Sequence, residues 1–339
     1  MKKMKYHLIL ISLSVILVLA AILSFLFGRY SAGLDELFRV LTGRVAGTES
    51  ESLVYLETVL YQIRIPRTIV AVCIGIALST AGACYQGLFK NPMVSPDILG
   101  ASSGACLGAS AAILLDMDKV GIQLFSFMGG ILAVALTYFI TEMVTNKQRT
   151  ILIMVLAGMV TESLFTSLLS ITKYMADTEN KLPQITFWLM GSLASVTGRD
   201  AKILLILAVA GYIPIYLLRW KLNILACGEE EAMALGIDIK KVQGILIFAS
   251  TLLAAVSVSI AGKIGWIGLL VPHIARLIIG PNYKVLIPVS ALLGGIFLLI
   301  VDDLARSLMT VEIPLGILTS LCGTPFFLYL LLKSRNSWA

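Results

Sequence analysis

The stretch GACYQGLFKNPMVSPDILGASSGA, residues 82–105, joins two long apolar runs through a short polar break. Asn91, Pro92, Ser95, Pro96 and Asp97 have the make-up of a surface turn, since proline fixes φ while Asn, Ser and Asp bond their own backbone. The apolar pattern nevertheless resumes at once. Gly100, Gly104 and Gly108 then recur every four positions, which places them on one helix face where a second backbone can approach closely. A polar turn between two apolar runs is how a chain reverses at a bilayer. Irregular backbone near membrane depth is tolerable only where protein or a wet cavity satisfies its polar groups, so this turn is expected to face inward, away from lipid.

Composition extends that expectation to the whole chain. Of 339 residues 58% are hydrophobic and 14% charged, and the mean hydropathy is +0.93. A soluble domain carries about a quarter charged residues, so the deficit belongs to segments that face lipid. The net charge of +6 is distributed toward the ends of apolar runs, as orientation signals are, without the basic, aromatic-studded patch that nucleic acid requires. The N-terminal run exceeds a signal-peptide core and lacks a small-x-small cleavage site, so an uncleaved first span is expected. Five cysteines show no Cys-x-x-Cys pair, and two histidines stand far apart. They are expected to pack or cap, with no metal site.

At about 20 residues per crossing, ten segments qualify: 8–27, 68–88, 98–115, 122–144, 151–171, 201–218, 244–261, 264–279, 285–305 and 313–332. The fold class expected is therefore an all-α polytopic membrane protein, a single transmembrane domain over 1–339 with about ten transmembrane helices and both termini cytoplasmic. The N-terminal MKKMK cluster and the short basic loops containing Lys90, Lys147 with Arg149, Arg219 with Lys221, Lys240 with Lys241, Arg276 with Lys284, and Lys333 with Arg335 argue for that orientation.

Three features stand out chemically. The inner loop at about 219–243 contains GEEEAMALGI, where Glu229, Glu230 and Glu231 fall in or near the first turn of a short helix, favoured there by the macrodipole. A solvated connector and a docking element both fit it. Glu162 lies inside an apolar span, where a charge costs roughly 2.5–3.5 kcal/mol; it either lines a pathway or sits neutral and hydrogen-bonded near Thr161, Ser163 or Thr166. The eighth segment is short and contains Pro272, and broken spans point toward a substrate pathway.

In order and spacing, RIPRT, the 82–105 stretch, WLMGSL, GEEEAMALGI, GWIGLLVPHIARLIIG, DDLAR and EIPLGILTSLCGTPFFLYLL resemble the permeases that import ferric siderophores, haem and cobalamin, the FecCD-like membrane subunits of type II ABC importers. The resemblance implies a bacterial or archaeal cell-membrane location and a second permease subunit. It also implies two cytoplasmic ATPases that bind ATP and Mg, and an extracytoplasmic binding protein. The chain itself carries no nucleotide-binding Gly-x-x-x-x-Gly-Lys-Ser/Thr loop, so a transport subunit that is not itself an enzyme is expected.

Site residues follow from the same resemblance. Arg64, Arg67 and Arg306 match arginines that grip glutamates on the binding protein, a task suited to a bidentate guanidinium; interfacial anchoring or pairing with Asp302 and Asp303 is the alternative. Gly228, Glu229, Ala232, Leu235 and Gly236 match the ATPase-coupling helix. Asn91, Pro92, Pro96, Leu99, Gly100, Gly104 and Gly108 match the turn and small-residue helix beside the pathway, with Glu162 a further candidate. TFWLMGSL resembles a short external gate helix. An ion-coupled secondary transporter would need more titratable groups in its spans, and a membrane-embedded enzyme would need clustered histidines or paired carboxylates. The cargo expected is an iron chelate, a ferric siderophore first, with haem, cobalamin and molybdate as alternatives.

Overall fold

A computed structural model describes residues 2–26, 51–145 and 151–334. Most of the first external loop, Lys147, Arg149 and Arg335 lie outside the described residues. Helices, joined by turns, are the regular structure of the described residues: α1 (Lys2–Ser24), α2 (Glu51–Thr58), a π-helical turn (Val59–Arg64), α3 (Ile65–Leu88), a 3₁₀ turn (Pro96–Leu99), α4 (Ala101–Leu114), α5 (Lys119–Thr145), α6 (Ile151–Met175), α7 (Lys181–Met190), α8 (Gly198–Cys227), α9 (Glu229–Ala234), α10 (Ile239–Ala261), α11 (Ile267–Ile279), α12 (Tyr283–Ser307) and α13 (Leu315–Ser334).

All ten apolar segments fold as helices. Seven of these are long and apolar enough to cross a membrane, while Ala101–Leu114, Ile267–Ile279 and Leu315–Tyr329 are shorter apolar helices. Helix ends run past the apolar windows wherever charged residues continue the turn. In α8 the helix starts at Gly198 because Thr197 and Asp200 form a reciprocal capping box, and α10 starts at Ile239 because the Asp238 carboxylate accepts from the Lys241 N–H at 3.1 Å.

α3 is the axis of the bundle. It packs against α8, α10, α11 and α12 and is buried along nearly all its length. Small residues make this possible: a Cβ on Gly75 would strike the Gly294 carbonyl of α12, and one on Gly82 would strike the Gly268 carbonyl of α11. Without a hydrophobic drive between helices in lipid, such backbone contact is what supplies the packing energy. One fully buried polar tie crosses the same core, from the Tyr85 hydroxyl to Thr251 Oγ1 at 3.1 Å on α10. The rim is apolar and outward. Leu8, Ile11 and Val15 on α1, and Leu152, Leu156 and Met159 on α6, are exposed, as lipid-facing side chains are.

Candidate functional site

The polar turn is built to be satisfied from within. Asn91 Oδ1 accepts the Met93 N–H at 2.9 Å. Ser95 caps the 3₁₀ turn by accepting the Asp97 N–H at 3.3 Å, and Pro96 occupies its first position. Gly100 then ends the turn in the left-handed region, φ 83°, where a side chain would be strained. The Leu99 carbonyl receives Thr137 Oγ1 from α5 at 3.0 Å, and the Asp97 carboxylate takes the Ser102 hydroxyl. Asn91 and Pro92 stay exposed, whereas Pro96, Leu99 and Gly100 are buried, so the turn does run inward.

Of the three glycines expected to share one face, Gly104 and Gly108 do: they meet the backbone of Gly129 and of Phe125 on α5. Gly100 instead lies against Thr161 and the backbone of Glu162 on α6. The turn and Glu162 are thereby brought together, with Glu162 half-buried beside the hinge.

Arg64, Arg67 and Arg306, expected to grip a binding protein or, in the alternative, to anchor at the interface or pair with Asp302 and Asp303, are turned into the bundle. All three are buried. Arg67 spans two carboxylates, donating from Nε and Nη2 to Asp302 (2.8–3.1 Å) and from Nη1 and Nη2 to Glu312 (2.9 Å each). Arg306 donates to the Ser24 carbonyl at 2.7 Å and hydroxyl at 2.6 Å, and to Asp303, while Arg64 donates to the Phe25 carbonyl. Asp302 and Asp303, adjacent in sequence, point apart as helical geometry requires, one to α3 and one to α1. Together they bind the end of α1, the start of α3, the end of α12 and the approach to α13 at the outer end of the bundle. A guanidinium removed from water needs such partners.

At the opposite end, α9 divides its side chains sharply. Ala232 and the following Ile237 are buried against the bundle, whereas Met233 and Leu235 are 60% and 66% exposed. Gly236 takes φ 72° to turn the chain into α10, and Gly228 precedes the first helical residue, Glu229. Two large apolar residues thus project from a short helix that opens with three glutamates.

A second outer feature went unforeseen. Between α7, the turn into α11 and α13 lies a cavity of about 820 Å³, lined by Leu189, Met190, Lys263, Trp266, Ile317 and Leu321 among others. Its walls depend on close backbone contacts. A Cβ on Gly262 would strike the Trp188 carbonyl, and Gly316 abuts the Met190 carbonyl. Trp266, with φ 69°, packs edge-on against Phe327 at 6.2 Å. Lys263, in the brief break between two apolar segments, was the signal available. Beside this cavity α7 covers the TFWLM part of TFWLMGSL, and its chain leaves through Gly191, φ 78°. In the preceding turn the Asp177 carboxylate accepts the N–H groups of Glu179 and Asn180, which holds it below the usual carboxylate range.

Among the described residues no group of three His, Cys, Asp or Glu side chains could hold a metal ion. Cys73, Cys84 and Cys106 are buried and Cys227 and Cys322 exposed, all unpaired.

The FecCD transport family matches residues 16–333. The molybdate import system permease protein MolB of Haemophilus influenzae is 37% identical over 338 residues, covering 98% of this chain and 97% of that protein. The Fe(3+)-citrate import system permease protein YfmE of Bacillus subtilis is 38% identical over 279 residues, covering 81% of this chain and 82% of that one. A solved structure described as an inward-facing conformation of a metal-chelate type ABC transporter aligns with a TM-score of 0.85 at 35% identity, over 96% of this chain and 99% of the other.

Proposed function

We propose, from the premise that this chain belongs to the FecCD transport family, that it is the multi-pass membrane permease of an ATP-driven importer of metal chelates. It is a transport component and not itself a catalyst. The observation that carries this is α9: its buried side fixes it to the core through Ala232, and its free side offers Met233 and Leu235 to a protein partner. We assign that partner as the cytoplasmic ATPase, which supplies the ATP and Mg chemistry. Closure of two ATPases around nucleotide would move α9 as a rigid lever and shift the bundle between states of different access, a transition driven by the differential affinity of ATP for those states.

A second copy of the chain or a related permease completes the pathway, and an extracytoplasmic binding protein delivers the cargo to the outer end. There Arg64, Arg67 and Arg306 act by holding the platform together, since their charges are already committed within the bundle. Asn91, Pro92, Pro96, Leu99 and Gly100 form the inner turn on which α4 moves, with Gly104 and Gly108 keeping α4 against α5 and Glu162 beside the hinge.

The cargo assigned first is a ferric chelate of siderophore type. The largely apolar walls of the outer cavity, with Lys263 as its charged lining residue, suit a bulky anionic chelate better than a small, strongly hydrated oxyanion. The relatives carry both kinds of name, so the test is direct: uptake of labelled ferric siderophore, ferric citrate, haem, cobalamin and molybdate by matched cells with and without the gene, with and without ATP depletion. Loss of ATP-dependent ferric siderophore uptake is the expected result. Loss of molybdate uptake alone would overturn the cargo assignment, and uptake needing only an ion gradient would overturn the transporter class.

A further inference from the structure

At the end of the bundle that carries α9, the starts of α1 and α12 and the ends of α3, α8 and α11 enclose a second cavity, of about 800 Å³. Its lining includes Lys90, Arg276 and Lys284 and contains no carboxylate. Among the described residues, these three cations make no ion pair. Arg276 is aimed by neutral partners, with Nη2 3.1 Å from Gln86 Oε1 and 3.5 Å from the Tyr283 hydroxyl. These contacts fix the direction of the guanidinium without cancelling its charge. The wall behind it is tied in turn: Asn223 donates to Asn282 Oδ1 at 3.1 Å and accepts the Tyr283 N–H at 2.9 Å. Neighbouring Arg219 is spent elsewhere, on the Lys284 carbonyl at 3.0 Å and the Tyr216 ring.

Three like charges sharing one cavity repel each other, and an anion relieves that repulsion. The position says which anion. Tyr6 brings α1 into the wall, and α1 is the helix whose apolar side chains face outward along its length. Trp220, 42% exposed, stands at the rim as tryptophan does at headgroup depth. The cavity therefore opens where the lipid-facing surface meets the headgroups.

We propose that it binds the phosphate of an anionic phospholipid, with Lys90, Arg276 and Lys284 on the headgroup and Trp220 and Tyr6 against the upper acyl chain. Basic pockets between transmembrane helices are suited to this ligand. The proposal rests on the chain spanning a membrane and is independent of what the transporter carries.

The test counts lipids retained by the purified full-length chain, by native mass spectrometry, after titration with phosphatidylglycerol or phosphatidylcholine. Retention of phosphatidylglycerol at least tenfold above phosphatidylcholine is expected. The triple variant Lys90→Gln, Arg276→Gln, Lys284→Gln should lose that preference, at about fivefold per cation. Lys202→Gln, exposed at the other end of α8, should not alter it, and Lys90→Arg with Lys284→Arg should preserve it. If Arg276→Gln fails to give a monodisperse protein, the Lys90→Gln, Lys284→Gln pair, whose side chains are exposed, carries the test with about a 25-fold expected loss. Equal retention of both lipids by the unaltered chain, or unchanged retention by the variants, overturns the proposal. Displacement of the lipid by millimolar inorganic phosphate would make this a free-anion site, and loss of ATPase co-purification with lipid retention intact would make it a protein-docking face; either result overturns the lipid assignment.

Discussion

The two ends of this bundle use charge in opposite ways. At the outer end every arginine singled out is turned inward, and Arg67 alone satisfies two carboxylates from two further parts of the chain. At the inner end the cations around the 800 Å³ cavity stand without acidic partners, and the short helix beside it presents apolar side chains outward. The outer arrangement fixes helix ends to one another. The inner one leaves binding capacity unspent, as the proposed lipid and ATPase contacts would require.

The comparison breaks most severely at Arg67. Truncating it to Met leaves Asp302, with 1% of its side chain exposed, buried with Arg306 Nε at 3.8 Å as its remaining counter-charge, a loss of about 3–5 kcal/mol from a total of about 5–15 kcal/mol for an ordinary protein. Fluorescence-detected size exclusion and thermal melting in detergent should show loss of folded protein. Adding Asp302→Leu to that variant should recover most of it, because replacing both partners of a buried pair with apolar groups is often neutral. If the recovered double variant folds but no longer engages the binding protein proposed above, the Arg67–Asp302 pair touches that partner directly.

Backbone contact in the trunk between the two ends is expected to come next. Gly75→Val should cost about 1–3 kcal/mol or more, since overpacking must push α3 from α12 at the Gly294 carbonyl. A melting temperature within a degree of the unaltered chain would mean that the helices can part there at no cost, and that the outer charge network alone holds them.

At the inner end the same kind of substitution should spare the fold. Leu235→Glu and Met233→Glu alter exposed side chains, so stability should move by no more than about 0.5 kcal/mol. Association with the ATPase, measured by co-purification and by stimulation of hydrolysis, should weaken about 10-fold or more if these are central contacts. Ala232→Glu, by contrast, forces a charge into the buried side of α9 and should lower stability as well as coupling. Normal coupling in all three variants would remove α9 from the mechanism.

Much of this division was legible in the sequence, and the parts that were not share a cause. Apolar runs located the seven long apolar helices and the three shorter ones, because lipid imposes a length and a composition on each segment independently. The turn at Asn91–Gly100 was legible because Pro, Ser, Asp and Gly act locally on the backbone. Partner choice at long range was not. For Arg67 the sequence left open a grip on a binding protein, interfacial anchoring or pairing with Asp302 and Asp303; that Asp302 and also Glu312 converge on it, across more than two hundred positions, is seen only in the fold. Lys263 and Trp266 were likewise obscure, since their cavity is formed by two helices and a turn that meet only in the fold. The motif at 228–236 was found, but not that Ala232 faces in while Leu235 faces out: the periodicity of a six-residue helix is too short to orient it.

The smallest effect tests where the committed charge of the outer end begins. Glu312 meets Arg67 at 2.9 Å and Asp302 meets it at 2.8 Å, yet 28% of the Glu312 side chain is exposed against 1% for Asp302. Water can therefore replace much of what Glu312 provides, and its neutralisation leaves Arg67 still held bidentately by Asp302. Glu312→Gln should cost about 1 kcal/mol, diminishing further with added salt as a partly solvated pair is screened, whereas Asp302→Asn should cost several-fold more and be nearly indifferent to salt. Equal losses for the two substitutions would mean that Arg67, Asp302 and Glu312 act as one buried unit extending to the outer surface. The contrast between the ends would then begin one residue farther out, at the surface a binding protein would touch.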